Sequence, residues 1–310
     1  MRAADDVSLQ ARCSAHAENP QTFILYSSDM TGRRLSGAEN ADANGSAHKK
    51  TKTEEDDTMN GHDEGMTTDP STISAAPDSQ ISASAAIEYW SGTSADVDGM
   101  LGGFPQVTRA DLQGSSNFLS KLRRSSKHHP PSKPLRRAAD CGAGIGRITL
   151  GFLSKVAEVV DIVEPVEKFT ERISTGDDFA EIRARGGIGQ IWNCGLEAWN
   201  PPVANESDKY DLIWNQWCVG QLTDKDLTEY LRKSKDWLTE GGWVVVKENL
   251  SNDPADVDVY DEVDSSVTRT DKKFRKIFQD AGLKLVSTEL QRGFPASLYP
   301  VRMYALRPEV

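Results

Sequence analysis

Hydrophobic and polar residues fall into two textures that meet near residue 85. Residues 11–84 are dominated by Ser, Thr, Ala, Asn, Asp and Gly, and 49–69 is charged with scarcely an apolar side chain. Such a segment cannot offset its ordering entropy by burial, so 1–85 is predicted to be a disordered low-complexity tail. From Ala86 onward, short β-rich runs alternate with stretches carrying apolar residues at three- and four-residue spacing, the pattern of a parallel sheet wound with helices. Strands are predicted at 138–141, 158–164, 188–194, 210–216, 243–247, 284–289 and 301–306. Helices are predicted over 148–156, 166–173, 224–238 and 271–281, with Thr223-Asp224 as an N-cap and Gly241-Gly242 as a stop after Trp237-Leu238. The last two strands have no long helix between them, which predicts a closing antiparallel hairpin.

Composition changes this picture in three ways. The chain has 310 residues, and the stretch 86–310, about 225 residues, is long enough to bury a sizeable core as one folded domain. A chain starting near Ala85 is therefore expected to fold and stay active. A formal net charge of −11 argues against a non-specific nucleic-acid binder, because phosphate binding needs a basic face, and favours a small cofactor or a basic peptide as partner. Cys13, Cys141, Cys194 and Cys218 are scattered, with no C-x-x-C pair, which fits a reducing compartment and neither a disulfide framework nor a zinc site. Nothing approaches the ~18 apolar residues of a membrane span. Residues 1–10 hold Asp5 and Asp6 and no apolar run, unlike a signal peptide, so a cytoplasmic or nuclear protein is expected. Two short strings stand out in the tail. Phe23-Ile24-Leu25-Tyr26 reads as a docking motif or a chance apolar run, and His48-Lys49-Lys50-Thr51-Lys52 as a weak nuclear-import signal or a solvated charge run.

The sharpest local signal is Asp140-Cys141-Gly142-Ala143-Gly144-Ile145-Gly146-Arg147, directly after a predicted strand and before a predicted helix. Glycines let the backbone turn tightly and a ligand approach closely, while the following helix presents free N–H groups. A dinucleotide fingerprint, G-x-G-x-x-G, would place glycine where Arg147 stands, so the G-x-G-x-G spacing favours adenosylmethionine over the nicotinamide cofactor of a dehydrogenase. Glu164 ends the next strand, where a carboxylate accepts hydrogen bonds from a ribose diol. Methyl transfer needs a sulfonium held in line with a nucleophile, and positioning with desolvation supplies most of the acceleration. It requires neither a metal nor a covalent intermediate.

These residues belong to a wider set. Tyr89-Trp90, Val97-Asp98-Gly99-Met100-Leu101-Gly102-Gly103, the turn from Asp140 to Arg147, Asp211-Leu212-Ile213-Trp214 with Gln216-Trp217, Lys247-Glu248-Asn249, the stretch from Asp261 to Val267, Leu298-Tyr299 and Tyr304-Ala305-Leu306-Arg307 are separated, mostly rare strings. Together they make 86–310 closely resemble the eukaryotic protein N-terminal α-amine methyltransferases, which act on exposed Xaa-Pro-Lys termini. The resemblance implies a seven-stranded Rossmann-like α/β fold of class I with an N-terminal helical extension. It also implies S-adenosyl-L-methionine as cofactor and protein N-termini, such as those of ribosomal proteins, as partners of a monomeric enzyme. By the same resemblance Gly142, Arg147, Glu164, Leu196 and Gln216 line the cofactor, Arg147 pairing its carboxylate. Glu164 stands where the family usually has Asp, and Glu197 where it often has Gln, so Glu197 lacks the donor an amide would bring.

The peptide side resembles the family at Leu101, Trp217, Asn249, Asp261, Asp264, Ser266 and Tyr299, an aromatic wall for a proline ring and acids for a lysine ammonium. On spacing alone, Trp217 can also be read as a core residue after a strand, and Asp261, Glu262 and Asp264 read rather as a solvated acidic loop. In the mechanism this implies, Asn249 orients the substrate amine and Asp264 accepts its proton. Gln221 occupies a catalytic position where the family commonly has histidine, and it cannot take up a proton near neutral pH. That departure leaves open a second reading, a non-catalytic N-terminus-binding module of the same fold.

Overall fold

The computed structural model describes residues 76–309. After a short 3-10 turn at Pro77–Gln80 come three helices, α1 (Ala83–Gly92), α2 (Val97–Met100) and α3 (Thr108–Arg124). Alternating strands and helices follow: β1 (Leu135–Cys141), α4 (Arg147–Gly151), β2 (Ala157–Val163), α5 (Glu167–Thr175), α6 (Ala180–Ala184), β3 (Ile188–Trp192), β4 (Tyr210–Gln216), α7 (Asp224–Ser234) and β5 (Leu238–Asn249). A small hairpin, β6 (Val259–Asp261) with β7 (Ser266–Thr268), precedes α8 (Asp271–Asp280), β8 (Leu283–Leu290) and β9 (Val301–Pro308).

The seven-stranded sheet has the order β3-β2-β1-β4-β5-β9-β8. Its first five strands are parallel neighbours, and β9 inserts antiparallel between β5 and β8. This is the α/β class expected from the alternating pattern, with the closing antiparallel pair in place. Central β4 is buried along its whole length, as a parallel strand covered on both faces must be. Its alternate residues feed two cores. Leu212 and Trp214 pack with Phe118 of α3 and Phe152 on one face, while Ile213 packs with Tyr230 of α7 and Phe274 of α8 on the other. Burial of each such side chain stabilises the fold by roughly 1.5–3 kcal/mol.

Several expectations need correction. The helix over 148–156 is two pieces: α4 stops at Gly151, Phe152 breaks the helix at φ −140°, and a 3-10 turn takes over at Leu153–Lys155. The break turns Phe152 inward onto Trp214, ring centroids 5.0 Å apart. Gly241-Gly242 is not a helix stop, because β5 already begins at Leu238, which pairs with Tyr210. Gly241, at φ +74°, instead accommodates a register shift inside that strand. The helix ends earlier, through a 3-10 turn at Lys235–Trp237.

The boundary drawn at 85/86 falls inside α1. Ser82 caps that helix, its side chain accepting from Ala85 N at 3.3 Å, and its own N–H donates to Ser265 Oγ at 2.8 Å. Asp78 Oδ2 accepts from Asp224 N at 3.0 Å. Low apolar content hid these polar tethers. The strings at 23–26 and 48–52 lie outside the described residues.

A chain beginning at Ala86 loses the Ser82 cap, both tethers and the first turn of α1. Relative to a chain beginning at Ala76, it is expected to melt about 2–4 °C lower for each kcal/mol lost, a cap alone being worth ~1 kcal/mol. Equal melting temperatures would show that this segment carries no stability.

Candidate active site

The glycine-rich turn leaves the end of β1 at the centre of the sheet. Gly142, Gly144 and Gly146 have φ of +65°, +53° and +77°, a region that side chains rarely adopt. A Cβ on Gly142 would lie 2.2 Å from the Cys218 Cβ, so the turn can pass the segment just after β4 only as glycine. Glu164, just past β2, secures the turn: its carboxylate accepts from Gly144 N at 2.8 Å and from Val166 N at 2.9 Å. Burial pushes the Glu164 carboxyl up to about 7, against the pull of these two N–H groups.

A cleft opens over this turn. One end is apolar, walled by Trp90 of α1 with Val166 and Phe169. Glu164 lies on its wall, with Leu196 and the exposed Glu197 along one side. Arg147 and Gln216 also line the cleft. The Gln216 amide is oriented from both ends: its Oε1 accepts from Trp214 Nε1 at 3.0 Å, and its Nε2 donates to the Asp111 carboxylate at 2.9 and 3.0 Å. An apolar slot, a carboxylate acceptor and a guanidinium suit a ligand with a flat ring, a diol and a carboxylate, which are the parts of adenosylmethionine. Gly142, Arg147, Glu164, Leu196, Glu197 and Gln216 all line this one cleft.

A second, polar cavity lies beside it. Trp217, Gln221, Asn249, Asp261, Asp264 and Ser266 line it, together with Glu248. The β6–β7 hairpin builds one wall, Asp261 pairing with Ser266 and the turn between them containing Ser265 at φ +55°. Asp264, at the turn, is 3 % exposed, and its Oδ2 accepts from Gln221 Nε2 at 3.5 Å. Burial pushes the Asp264 carboxyl up to about 6, with Ser266 opposing and Asp261 reinforcing the rise. Burial also raises Asp261, although Val263 N donates to its Oδ1 at 2.9 Å. Arg269, fully buried, ties this hairpin to the Gln221 turn: it donates to Asp224 Oδ1 at 2.8 Å and to the Val219 carbonyl at 3.0 Å.

Trp217 and Gln221 line both cavities. Trp217 is held at φ +53°, an uncommon backbone for a bulky residue, with its N–H on the Lys247 carbonyl at 3.1 Å. The Arg147 guanidinium lies 5.5 Å from the centroid of its ring. Leu101 and Tyr299 are not brought to either cavity. Leu101, 1 % exposed, packs with Val107 and Leu298 against Trp217, and Tyr299 is buried next in the chain to Leu298. Leu101 backs the aromatic wall rather than forming it.

Sequence reasoning missed two groups. Glu248 sits in the recognised Lys247-Glu248-Asn249 string but was given no role; burial pushes its carboxyl up to about 7. Asp111 left no local signal, since its partners Arg147, Gln216 and Lys247 lie 36, 105 and 136 residues away.

Comparison with known proteins agrees with this geometry. Residues 78–307 match the family described as AdoMet dependent proline di-methyltransferase. The chain is 44 % identical over 225 residues to the alpha N-terminal protein methyltransferase 1 of Schizosaccharomyces pombe, covering 72 % of this chain and 94 % of that protein. It is 36 % identical over 222 residues to the N-terminal Xaa-Pro-Lys N-methyltransferase 1 of Xenopus tropicalis, covering 71 % and 92 %. A solved SAM-dependent methyltransferase of Leishmania major superposes with a TM-score of 0.61 at 34 % identity, covering 72 % of this chain and 81 % of that one. The match runs from the tethers before α1 to the last strand and takes in both cavities, so the chain belongs to the AdoMet-dependent proline di-methyltransferase family.

Proposed function

We propose that this chain is a protein α-N-methyltransferase that moves methyl groups from S-adenosyl-L-methionine to the free α-amine of proteins beginning Xaa-Pro-Lys after Met removal. The observation that carries the reading is the junction of an adenosylmethionine-shaped cleft with an acidic cavity at Trp217 and Gln221. Bound adenosylmethionine supplies an electrophilic methyl group on its sulfonium. Arg147 holds the carboxylate of that cofactor and Glu164 its ribose hydroxyls, with Gly142, Leu196, Glu197 and Gln216 around them.

On the peptide side, the Trp217 ring faces the proline and Asp261 attracts the lysine ammonium, while Ser266 lines the same wall; Leu101 supports Trp217 from behind, and Tyr299 is buried next in the chain to Leu298. Asn249 orients the α-amine and Asp264 takes its proton. The free α-amine titrates at about 7.7–8.0, so a carboxylate raised toward 6 is both ionised at neutral pH and a better acceptor than an ordinary aspartate. Gln221 holds the Asp264 carboxylate by its amide and takes no proton itself. The same reading has the enzyme act as a monomer in the cytoplasm and also in the nucleus, on termini such as those of ribosomal proteins, with no nucleic acid or membrane as partner.

Incubation of the full chain with adenosylmethionine and a synthetic peptide beginning Ser-Pro-Lys is expected to add mass at the N-terminal residue. A peptide that binds but gains no mass would favour the binding-module reading.

Asp264→Asn keeps the shape and removes the base, and turnover is expected to fall ~10²-fold or more while adenosylhomocysteine affinity stays nearly unchanged. Part of the loss should return at higher pH, where solution delivers more neutral amine. In the unaltered enzyme kcat/KM should fall as pH drops through about 6, because Asp264 is then protonated and cannot accept. Near-normal turnover of the Asn variant at pH 7 would mean that the amine arrives already deprotonated.

Asp261→Lys should penalise a Pro-Lys peptide far more than a Pro-Gln peptide, through like-charge repulsion. Equal losses on the two peptides would remove Asp261 from charge recognition.

A further inference from the structure

Three ionic side chains meet beside the cofactor cleft, nearly or wholly out of contact with water. Asp111 of α3 is fully buried, and its carboxylate accepts from Arg147 Nη1 at 2.6 Å, from Gln216 Nε2 at 2.9 and 3.0 Å, and from Lys247 Nζ. Lys247, from β5, is also fully buried and donates to the Asp111 carbonyl at 3.0 Å, to Ser115 Oγ at 2.9 Å and to Gln291 Oε1 at 2.9 Å.

The protonation of Lys247 follows from its partners. The Asp111 carbonyl and carboxylate oxygens can only accept. Gln291 Oε1 is fixed as an acceptor too, because its Nε2 donates to the Ala110 carbonyl at 2.9 Å and the Arg292 carbonyl at 2.8 Å. Three pure acceptors require three N–H groups, and only an ammonium has them. Burial lowers the Lys247 pKa, with Asp111 resisting; burial alone would raise Asp111, but Lys247 and Arg147 together hold it below its ordinary value. The cluster therefore holds one negative and two positive charges, a surplus of one positive.

That surplus has a definite location. Lys247 does not line the cleft, whereas Arg147 does. Among the described residues the Arg147 guanidinium makes one hydrogen bond, to Asp111, out of the five N–H donors it carries, and its side chain is only 9 % exposed. A cation so poorly hydrated, with donors unspent toward a cavity, calls for an anion there.

We propose that Lys247 is a positioning residue for cofactor binding: it neutralises Asp111, so that Asp111 anchors Arg147 and Gln216 without consuming the charge of Arg147, which is left for the carboxylate of the cofactor. Without Lys247, Arg147 becomes the sole cationic partner of Asp111 and the three-residue cluster has no net charge to offer, while Asp140, whose carboxyl also feels Arg147, is left as it was. The inference rests on the adenosylmethionine reading of the cleft.

Two ligands separate the carboxylate contribution from the rest: adenosylhomocysteine, and 5′-methylthioadenosine, which keeps the nucleoside and the sulfur but has no amino-acid end. The affinity of each for the full chain is measured by calorimetry. In Lys247→Met the ratio of the two affinities is expected to fall about tenfold or more, the scale of one charge-assisted contact, through weaker adenosylhomocysteine binding. Lys247→Gln, which keeps N–H donors and removes the charge, makes the same demand should the Met variant fail to fold. Asp111→Asn combined with Lys247→Met restores the surplus on Arg147 and should recover most of the ratio.

A ratio unchanged in the Lys247 variants overturns the proposal. Equal weakening of both ligands would make Lys247 merely structural and overturn it as well, as would a double variant whose ratio stays as low as that of Lys247→Met. Failure of the cofactor reading itself looks different, since the unaltered protein would then bind neither ligand.

Discussion

The structure hangs on a carboxylate that has no access to water. Asp111 joins α3 to α4 through Arg147, to β4 through Gln216 and to β5 through Lys247, so the helical extension is fixed to the centre of the sheet by one group. A buried ion pair is not in itself a source of stability, but removing one partner leaves an uncompensated charge at a cost of about 3–5 kcal/mol. The arrangement is thus hard to alter piecemeal, and it locks α3 to one helix and two central strands. Gln291, reaching the same Lys247, brings the segment before β9 into the register of this cluster.

Trp217 inherits its place from that constraint. A positive φ at a bulky residue costs of order 1–3 kcal/mol and persists only when its surroundings demand it. Here the Lys247 carbonyl holds the Trp217 N–H, the Arg147 guanidinium lies over the ring, and Leu101 and Leu298 pack behind it. The side chain consequently stands where the two cavities meet. One strained residue thus forms part of the wall of both cavities.

Burial also sets the acid chemistry of the site. Glu164 and Glu248 are pushed up to about 7 and Asp264 to about 6, each mainly by desolvation. A carboxyl whose folded pKa lies above its unfolded value holds its proton more tightly in the folded chain. The charged form therefore costs stability above pH about 6–7, and that cost disappears as pH falls below the ordinary carboxylate value of ~4. The fold gives up stability at neutral pH while holding carboxylates of heightened basicity along the two cavities.

How much of this was legible in the sequence depends on how far apart the cooperating residues lie. Strand positions and the glycine turn are set within one or two elements, because alternation, helical spacing and positive φ are local properties; the hydrogen bond from Gly144 N to Glu164, 20 residues on, was not read there. Gly241-Gly242 misled for the same reason, since two glycines look alike whether they end a helix or kink a strand, and only the pairing of Leu238 with Tyr210 distinguishes the two. The three-residue strands of the β6–β7 hairpin are too short to carry a period, yet within what spacing reads as a solvated acidic loop they bury Asp264 and half-bury Asp261, leaving Glu262 exposed. Local pattern in the sequence was enough for the class of fold and the glycine turn. The buried charge balance of Asp111, Arg147 and Lys247 and the place of Leu101 behind Trp217 came only with the folded chain, because those relations are made by packing between elements 36 to 136 residues apart and leave no mark on any local pattern.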